Sequence, residues 1–378
     1  MTEPVEHFRG AAGAARLEGD RHGARGRYLA ALVRGPLRQY ADNVGDVRME
    51  VVAVGETLVP ILLNDGGDTD CYLTSPIGYY VRYVRDEIPR LRQDAFTRVF
   101  DKVIAGLEHP LRWSSFNRVA YVNHWLMSTS PRVRFDRSSL EALTRHLERE
   151  YPTHTLVFRG LTRDETEHCS SFAAAGYELV VSRPIHVWSS DRRVESRDTR
   201  RQRVCDARAV ERFVVGHEPT AHDLDAIPAL YRRLYVEKYS RMNPAYTRAY
   251  FAHLLDSGWG AVTMLHSDGA LVGFVTHAID ADGALLGLSV GHDPAVSQRD
   301  LPVYRALVST LFQRAEREQR ALFLSTGVSD FKRRRGAVEL LEFDAVRAAH
   351  APWPARAAWW TVGSAFDLAI QNIDTRQV

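Results

Sequence analysis

Apolar positions recur along this chain with two different periods, and the order in which the periods alternate is repeated once. SSLEALTRHLEREYP, from Ser138, spaces its leucines as a helix does, with Ser138 as the expected N-cap and Pro152 just past the end. THTLVFRGL then reads as a strand, DETEHCSSFAAA as a short helix, Gly176-Tyr177 as a break, and ELVVSRPIHVW as a long strand. The second half follows the same order. PVYRALVSTLFQRAEREQR is a helix, ALFLST a strand, SDFKRRR a short helix, Gly336-Ala337 a break, and VELLEFDAVRAAH a long strand. Gly176 and Gly336 stand 160 residues apart, a repeat long enough to mark two like domains and too long for a solenoid unit.

Elements ahead of these repeats are also legible. Residues 27–42 predict a helix broken at Gly35-Pro36, and residues 48–64 a hairpin turning at Gly55-Glu56. IPALYRRLYVEKYSR and TRAYFAHLLDSG predict two helices. The stretch from Ala261 to Asp293 predicts three strands joined at Asp268-Gly269 and Asp282-Gly283, pairs that favour tight hairpin turns. The expected fold class is α/β (α+β), two tandem domains, each a mixed, mostly antiparallel sheet flanked by helices. The expected boundaries are a helical extension over 1–45, loosely ordered through residue 26, a first domain over 46–189, a linker over 190–203 and a second domain over 204–378. The segment SSDRRVESRDTRRQR is charged, with Val194 its one apolar residue, and reads as a solvated connection.

Composition narrows the class. The chain has 378 residues, 45% hydrophobic and 25% charged, with a net charge of +2, so no global field draws it to nucleic acid or membrane. Three well-separated cysteines, Cys71, Cys169 and Cys205, odd in number, argue against a disulfide framework. The N-terminus lacks the apolar core of a signal peptide, and no run reaches the ~18 apolar residues of a membrane span, so a cytoplasmic location without membrane association is expected. Nothing in the sequence fixes the oligomeric state. Of 49 basic residues only Lys102, Lys238 and Lys332 are lysine, and a compact, titratable cation is a chemistry that arginine does not replace.

The order of elements, with LYVEKYSRMNP, YVNHWLMSTSP and FKRRRGA as local motifs, resembles the GNAT acyltransferase superfamily, and its duplication resembles the Fem-type aminoacyl-tRNA-dependent ligases. The resemblance implies direct transfer of an aminoacyl or acyl group to the amine of a small molecule, with aminoacyl-tRNA or acyl-CoA as co-substrate and no tightly bound cofactor. Acetyl-CoA-using relatives carry a glycine-rich loop after the fourth strand, whose backbone N–H groups approach the pyrophosphate. The matching stretch here is GHDPAVSQRDLPVYR, which has Gln298 and Arg299 but no glycine after them, and Pro302 lacks an N–H. That departure shifts the expected donor toward aminoacyl-tRNA.

Candidate catalytic residues follow from the needs of amide formation: a neutral amine, a donor for the oxyanion and a proton for the leaving group. Lys332 holds the place, in Lys-Arg-Arg-Arg-Gly, where many GNAT enzymes have a proton-donating tyrosine. Glu237 and His292 are candidate bases, and Tyr304 a candidate proton donor. Lys238, Tyr239, Asn243, Tyr80, Asn123, Trp125 and Ser128 are candidates for the acceptor pocket. Arg333, Arg334 and Arg335, with Gln298 and Arg299, are candidates for donor binding. No metal motif is present. Two other readings remain open: a non-catalytic binding module of the same fold, and a serine hydrolase using Ser289 of Gly-Leu-Ser-Val-Gly with Asp344 and His350.

Overall fold

The hairpin expected over 48–64 turns out to be part of a sheet that runs through both halves. The computed structural model describes residues 4–88, 95–191, 195–294 and 302–374. Its strands are β1 (Val5–Phe8), β2 (Arg48–Val54), β3 (Thr57–Asp65), β4 (Arg118–Val122), β5 (Thr155–Thr162), β6 (Glu178–Trp188), β7 (Val214–Gly216), β8 (Gly260–Ser267), β9 (Ala270–Ile279), β10 (Leu285–His292), β11 (Leu322–Leu324) and β12 (Val338–Arg347). The helices are α1 (Gly10–Leu17), α2 (Gly23–Arg34), α3 (Val84–Glu87), α4 (Ala95–Trp113), α5 (Arg137–Glu150), α6 (Thr166–Ala174), α7 (Arg197–Val210), α8 (Ala221–Tyr231), α9 (Arg248–Asp256), α10 (Val303–Arg317), α11 (Ser329–Arg333) and α12 (Trp353–Asp374).

The spatial order is β1-β2-β3-β4-β5-β12-β6-β11-β10-β9-β8-β7. Among the described residues only β4–β5 and β10–β11 are parallel, one pair in each half, and the other neighbours are antiparallel. The last strand of each half is therefore exchanged. β12 inserts beside β5 of the first half, β6 inserts beside β11 of the second, and the two pair with each other along Val338↔Val187 to Val346↔Glu178. The C-terminal α12 crosses over as well, setting Trp359 4.5 Å from Phe116 and Phe366 5.0 Å from Tyr80, ring centre to ring centre.

Three apolar clusters fill the layers. On one side of the first half, Leu140, Leu143 and Leu147 of α5 pack on Val52, Ile61 and Phe158. Their i, i+3, i+7 spacing is the reason the segment is a helix. Its N-cap is Asp136, whose carboxylate accepts from the Ser139 N–H at 2.7 Å, two residues ahead of the expected Ser138. Leu307 and Leu311 of α10 likewise cover Leu285, Leu322 and Leu324 of the second half, together with Trp188 of the exchanged β6. A third cluster takes residues from both halves, including Tyr28, Trp125, Tyr246, Tyr250 and Phe274. Burying one such side chain fully is worth about 1.5–3 kcal/mol.

The structure revises the reading of two segments. The N-terminal residues are not a loose helical extension: β1 forms the sheet edge against β2, and Ala14 and Leu17 of α1 are buried. The charged stretch before residue 204 is not all linker, because Ser196 caps α7 by accepting from the Thr199 N–H at 3.0 Å. Charge alone does not distinguish a solvated loop from a helix with a wide solvated face, and α7 buries only Thr199, Asp206 and Ala209.

Cleavage at a protease site inserted between Asp191 and Glu195 is expected to leave both fragments eluting together at the size of the uncut chain on gel filtration, separating only in denaturant. Two independently eluting native fragments would show that the exchanged strands do not hold the halves together.

Candidate active site

In the second half the two parallel strands separate early. β10 pairs with β11 only at Leu285↔Leu322 and Leu286↔Phe323, whereas it stays paired with β9 as far as His292↔Gly273, past a bulge between Gly287 and Ser289. The chain leaving β11 through Ser325 and Thr326 thus diverges from the outer part of β10. Such an opening at the C-terminal ends of parallel strands is where α/β folds commonly seat ligands.

Lys332 sits beside this opening on α11. The helix is set up by two left-handed residues, Gly327 at φ +81° and Val328 at φ +51°. A β-branched residue in that region is strained, and such strain persists where the surroundings enforce it. Lys332 is only 4% exposed, and its Nζ donates to the Ser325 carbonyl and, at 3.0 Å, to the Thr326 carbonyl. Burial, reinforced by the Arg183 guanidinium and opposed by Glu339, lowers its pKa to about 7. A neutral amine has two N–H bonds, enough for both carbonyls, and keeps one lone pair for a proton.

Residues from the exchanged strands surround the lysine. Arg183 of β6 donates to Glu342 of β12 at 2.7 Å, to the Ser325 hydroxyl at 3.4 Å and to the Ser128 carbonyl. Close by, Asp344 accepts from the Tyr80 hydroxyl at 2.7 Å and lies 3.8 Å from Arg159. Arg183, Glu342, Arg159 and Ser325 were not singled out from sequence, and Asp344 only as the acid of the hydrolase reading. Each is an ordinary polar residue on a strand or strand end until β6 and β12 are placed side by side.

A second grouping lies around the end of β10. The rings of His292 and Tyr304 are 6.1 Å apart, those of Tyr304 and Phe331 5.2 Å, and Lys238 Nζ lies 5.6 Å from the Tyr239 ring centre. Burial, with Lys238 nearby, holds His292 below its ordinary pKa, which favours the neutral imidazole. Burial raises the Tyr304 hydroxyl above the ordinary tyrosine value. Tyr235, Glu237 and their neighbours form a π-helical turn, Arg232–Glu237, matched in the first half by Gly78–Tyr83. Widened turns of this kind occur often at functional sites. The two regions meet: the Tyr72 N–H donates to the Met242 carbonyl at 2.8 Å, and Ser240 to Asp86 at 2.5 Å. Glu237 and Lys238 are exposed.

Residues 192–333 match the acetyltransferase (GNAT) domain profile. The GNAT match ends one residue past Lys332 and includes neither β12 nor β6. No curated protein sequence matches the chain. Solved structures that resemble it include L-PGS from Bacillus licheniformis (12% identity, TM-score 0.44, 60% of this chain and 78% of that one). The C-terminal domain of a putative lysylphosphatidylglycerol synthetase from Agrobacterium fabrum is similar at 12% identity and TM-score 0.44, over 65% and 81% of the two chains. A tandem GNAT protein from the clavulanic acid biosynthesis pathway is similar at 13% identity and TM-score 0.40, over 92% and 99%.

Other candidate residues are occupied elsewhere in the GNAT-matched half and its partner. Arg335 is not a donor-binding group on a solvated face. It is 2% exposed, grips Asp206 at 2.7 and 2.6 Å, and stacks 3.3 Å above the Phe331 ring. Arg333 is exposed and pairs with Asp330 at 2.5 Å, and Arg334 is exposed. Gln298 and Arg299 lie outside the described residues. Asn243 is buried and spends its amide on the carbonyls of Tyr235 and Ser240, closing its own turn. Asn123 donates to the Pro131 carbonyl at 2.8 Å and accepts from Trp125 Nε1 at 2.8 Å, so both brace the chain after β4. The Tyr80 hydroxyl is committed to Asp344.

The hydrolase reading is excluded by geometry. Ser289 lies within β10, opposite Thr276, whose hydroxyl accepts from the Ser289 N–H at 3.1 Å, whereas a nucleophile elbow needs a strand-to-helix turn there. Asp344 is bound by Tyr80, and His350 lies 3.4 Å from Glu148. No group of three or more potential metal ligands occurs among the described residues, and no helix among them is long and apolar enough to cross a membrane.

Two measurements follow. Arg335→Ala leaves Asp206 buried with Arg305 as its remaining cation, and is expected to lower unfolding stability by about 3–5 kcal/mol in urea titrations. A change below about 0.5 kcal/mol would return Arg335 to the solvated face. Lys332 gives a pH signature. Below pH 7 folded and unfolded chains both carry the ammonium. Between about 7 and the ordinary 10.5 the unfolded chain binds the proton that the folded chain has released, so stability rises with pH. Relative to Lys332→Met, the wild type is expected to gain stability across that window, and parallel curves would show an unperturbed lysine.

Proposed function

We propose that the protein transfers an acyl or aminoacyl group from an activated donor to the amine of a small molecule, with Lys332 handling the proton. The observation that carries this reading is a single buried lysine, with a pKa near 7 and a free lone pair in its neutral form, placed where two parallel strands diverge within a segment that matches a GNAT domain. The incoming ammonium gives up two protons on becoming an amide. Neutral Lys332 takes the first, which releases the nucleophile. The C–N bond then forms at the carbonyl carbon, the bond to the leaving group breaks, and the ammonium of Lys332 returns its proton to the departing atom. The second proton passes to solvent. General acid–base assistance of this kind is worth about 10²–10⁴ in rate.

His292 and Tyr304, with Tyr239, Lys238 and Glu237, are proposed to line the approach of the acceptor at the end of β10. The halves are proposed to divide near residues 190–203, and the second to hold the chemistry. Aminoacyl-tRNA is the preferred donor, because GHDPAVSQRDLPVYR has no glycine after Gln298 and Pro302 offers no N–H to a pyrophosphate.

Lys332→Ala is expected to cut turnover about 10²–10³-fold at saturating donor while the melting temperature holds within a few degrees. Lys332→Arg keeps the charge but cannot act as a base near neutrality, so it should lose the rate limb that rises through pH 7. Near-normal turnover by both variants would remove Lys332 from the chemistry. The same assay with RNase separates the donors: RNase-resistant turnover that depends on acyl-CoA would replace tRNA as donor without touching the role of Lys332.

A further inference from the structure

A large cavity among the described residues lies away from Lys332. It measures about 800 Å³ and opens between the start of α5, α6, the end of β6 and the start of β11. Among the described residues its walls carry five carboxylates, Asp136, Asp164, Glu165, Glu167 and Asp191, and two cations, Arg132 and Arg134. A neighbouring cavity of about 350 Å³ shares those two arginines and has the opposite balance, with Arg21 and Arg25 added against Glu56 and Asp282. Arg132 and Arg134 therefore form the partition of a two-lobed cleft, with carboxylates in excess on the wall of one lobe and arginines on the wall of the other.

The groups at the partition are not saturated by each other. Glu165 has a side chain only 9% exposed, and its Oε1 lacks a hydrogen bond, as does Arg132 Nε. Their ion pairs are loose. Glu165 lies 4.0 Å from Arg132 and 3.7 Å from Arg134, Asp282 3.6 Å from both arginines, and the buried Asp280, which accepts from the Arg132 backbone N–H at 3.3 Å, 3.7 Å from Arg132 Nε. Both ring nitrogens of His168, which faces the larger lobe, also lack a partner. A buried carboxylate oxygen without a donor costs free energy unless something supplies one. The arrangement is not a second copy of the Lys332 site, because the repeat places the fully buried Phe172 at the position of Lys332. Five carboxylates also repel a polyphosphate.

We propose that this cleft binds a small zwitterion, with a protonated amine in the Glu165 lobe and a carboxylate in the Arg21–Arg25 lobe. The two charges of the ligand then complete the loose pairs on either side of the partition. This site is separate from the proposed transfer chemistry and does not depend on it.

Calorimetric titration of the full chain with 4-aminobutyrate, 6-aminohexanoate and 8-aminooctanoate tests the inference without any activity assay. At least one length is expected to bind saturably at one site per chain. Its N-acetyl and its methyl-ester derivatives should each bind at least ten-fold more weakly. Glu165→Gln should abolish the preference for the free amine, and Arg134→Ala, at a side chain 63% exposed, the preference for the free carboxylate, with thermal melts confirming that both variants fold. The proposal is overturned if no length binds saturably, if blocked and free forms bind alike, if the two folded variants keep the wild-type preferences, or if coenzyme A binds in a manner lost with Arg134→Ala.

Discussion

The antiparallel pairing of β6 with β12 is the constraint on which the rest of this structure depends. Each strand completes the sheet of the half it did not come from, so each half's parallel pair is flanked by a strand of the other. The pairing also sets a register: Glu342 stands opposite Arg183, and that ion pair, buried on both sides, lies next to the carbonyl that receives the Lys332 ammonium. A slip of one residue would turn every side chain of a strand to the opposite face. It would also leave two charges buried without partners, a loss of several kcal/mol. Sheet register and lysine environment are thus one property.

Burial, and not the basic character of the Lys-Arg-Arg-Arg run, gives Lys332 its chemistry. The four cations of that run are adjacent in sequence yet have different fates. Lys332 and Arg335, three apart, turn inward on one side of the helix end, while Arg333 and Arg334 face water. Arg335 finds Asp206 as a partner and stays charged, whereas Lys332 finds two neutral carbonyls, and burial, reinforced by a nearby guanidinium, depresses its pKa.

Much of the fold was legible because local chemistry dictated it. The Asp-Gly turns between β8, β9 and β10, the break at Gly35-Pro36 and the repeated glycines all hold, and β6 spans the residues expected of it. Lys332 stood out because lysine is scarce here. The exchange itself was not legible. The alternation of β6 is the same whether it pairs inside its own half or across, since a strand's pattern states which face is buried and not which neighbour it has. For the same reason Arg183 and Glu342 looked unremarkable, and Asp206 was hidden within a helix whose polar face resembled a linker. Asn123 and Asn243 stand near turns, and their amides are spent on neighbouring backbone carbonyls, as polar groups at turns commonly are.

The exchanged strands also bear on how the chain is made. A ribosome releases β1 to β6 long before β12 exists, so the nascent first half has the edge of β5 bare, and β6 has neither of its final neighbours. Unpaired edges of apolar strands are templates for misassembly, and contacts between residues so distant in sequence form slowly. Synthesis in order therefore delivers an incomplete sheet that must stay open until the final strand emerges and closes both halves at once. Truncation anywhere before Val338 removes the strand that the first half needs, even though every residue of that half is present.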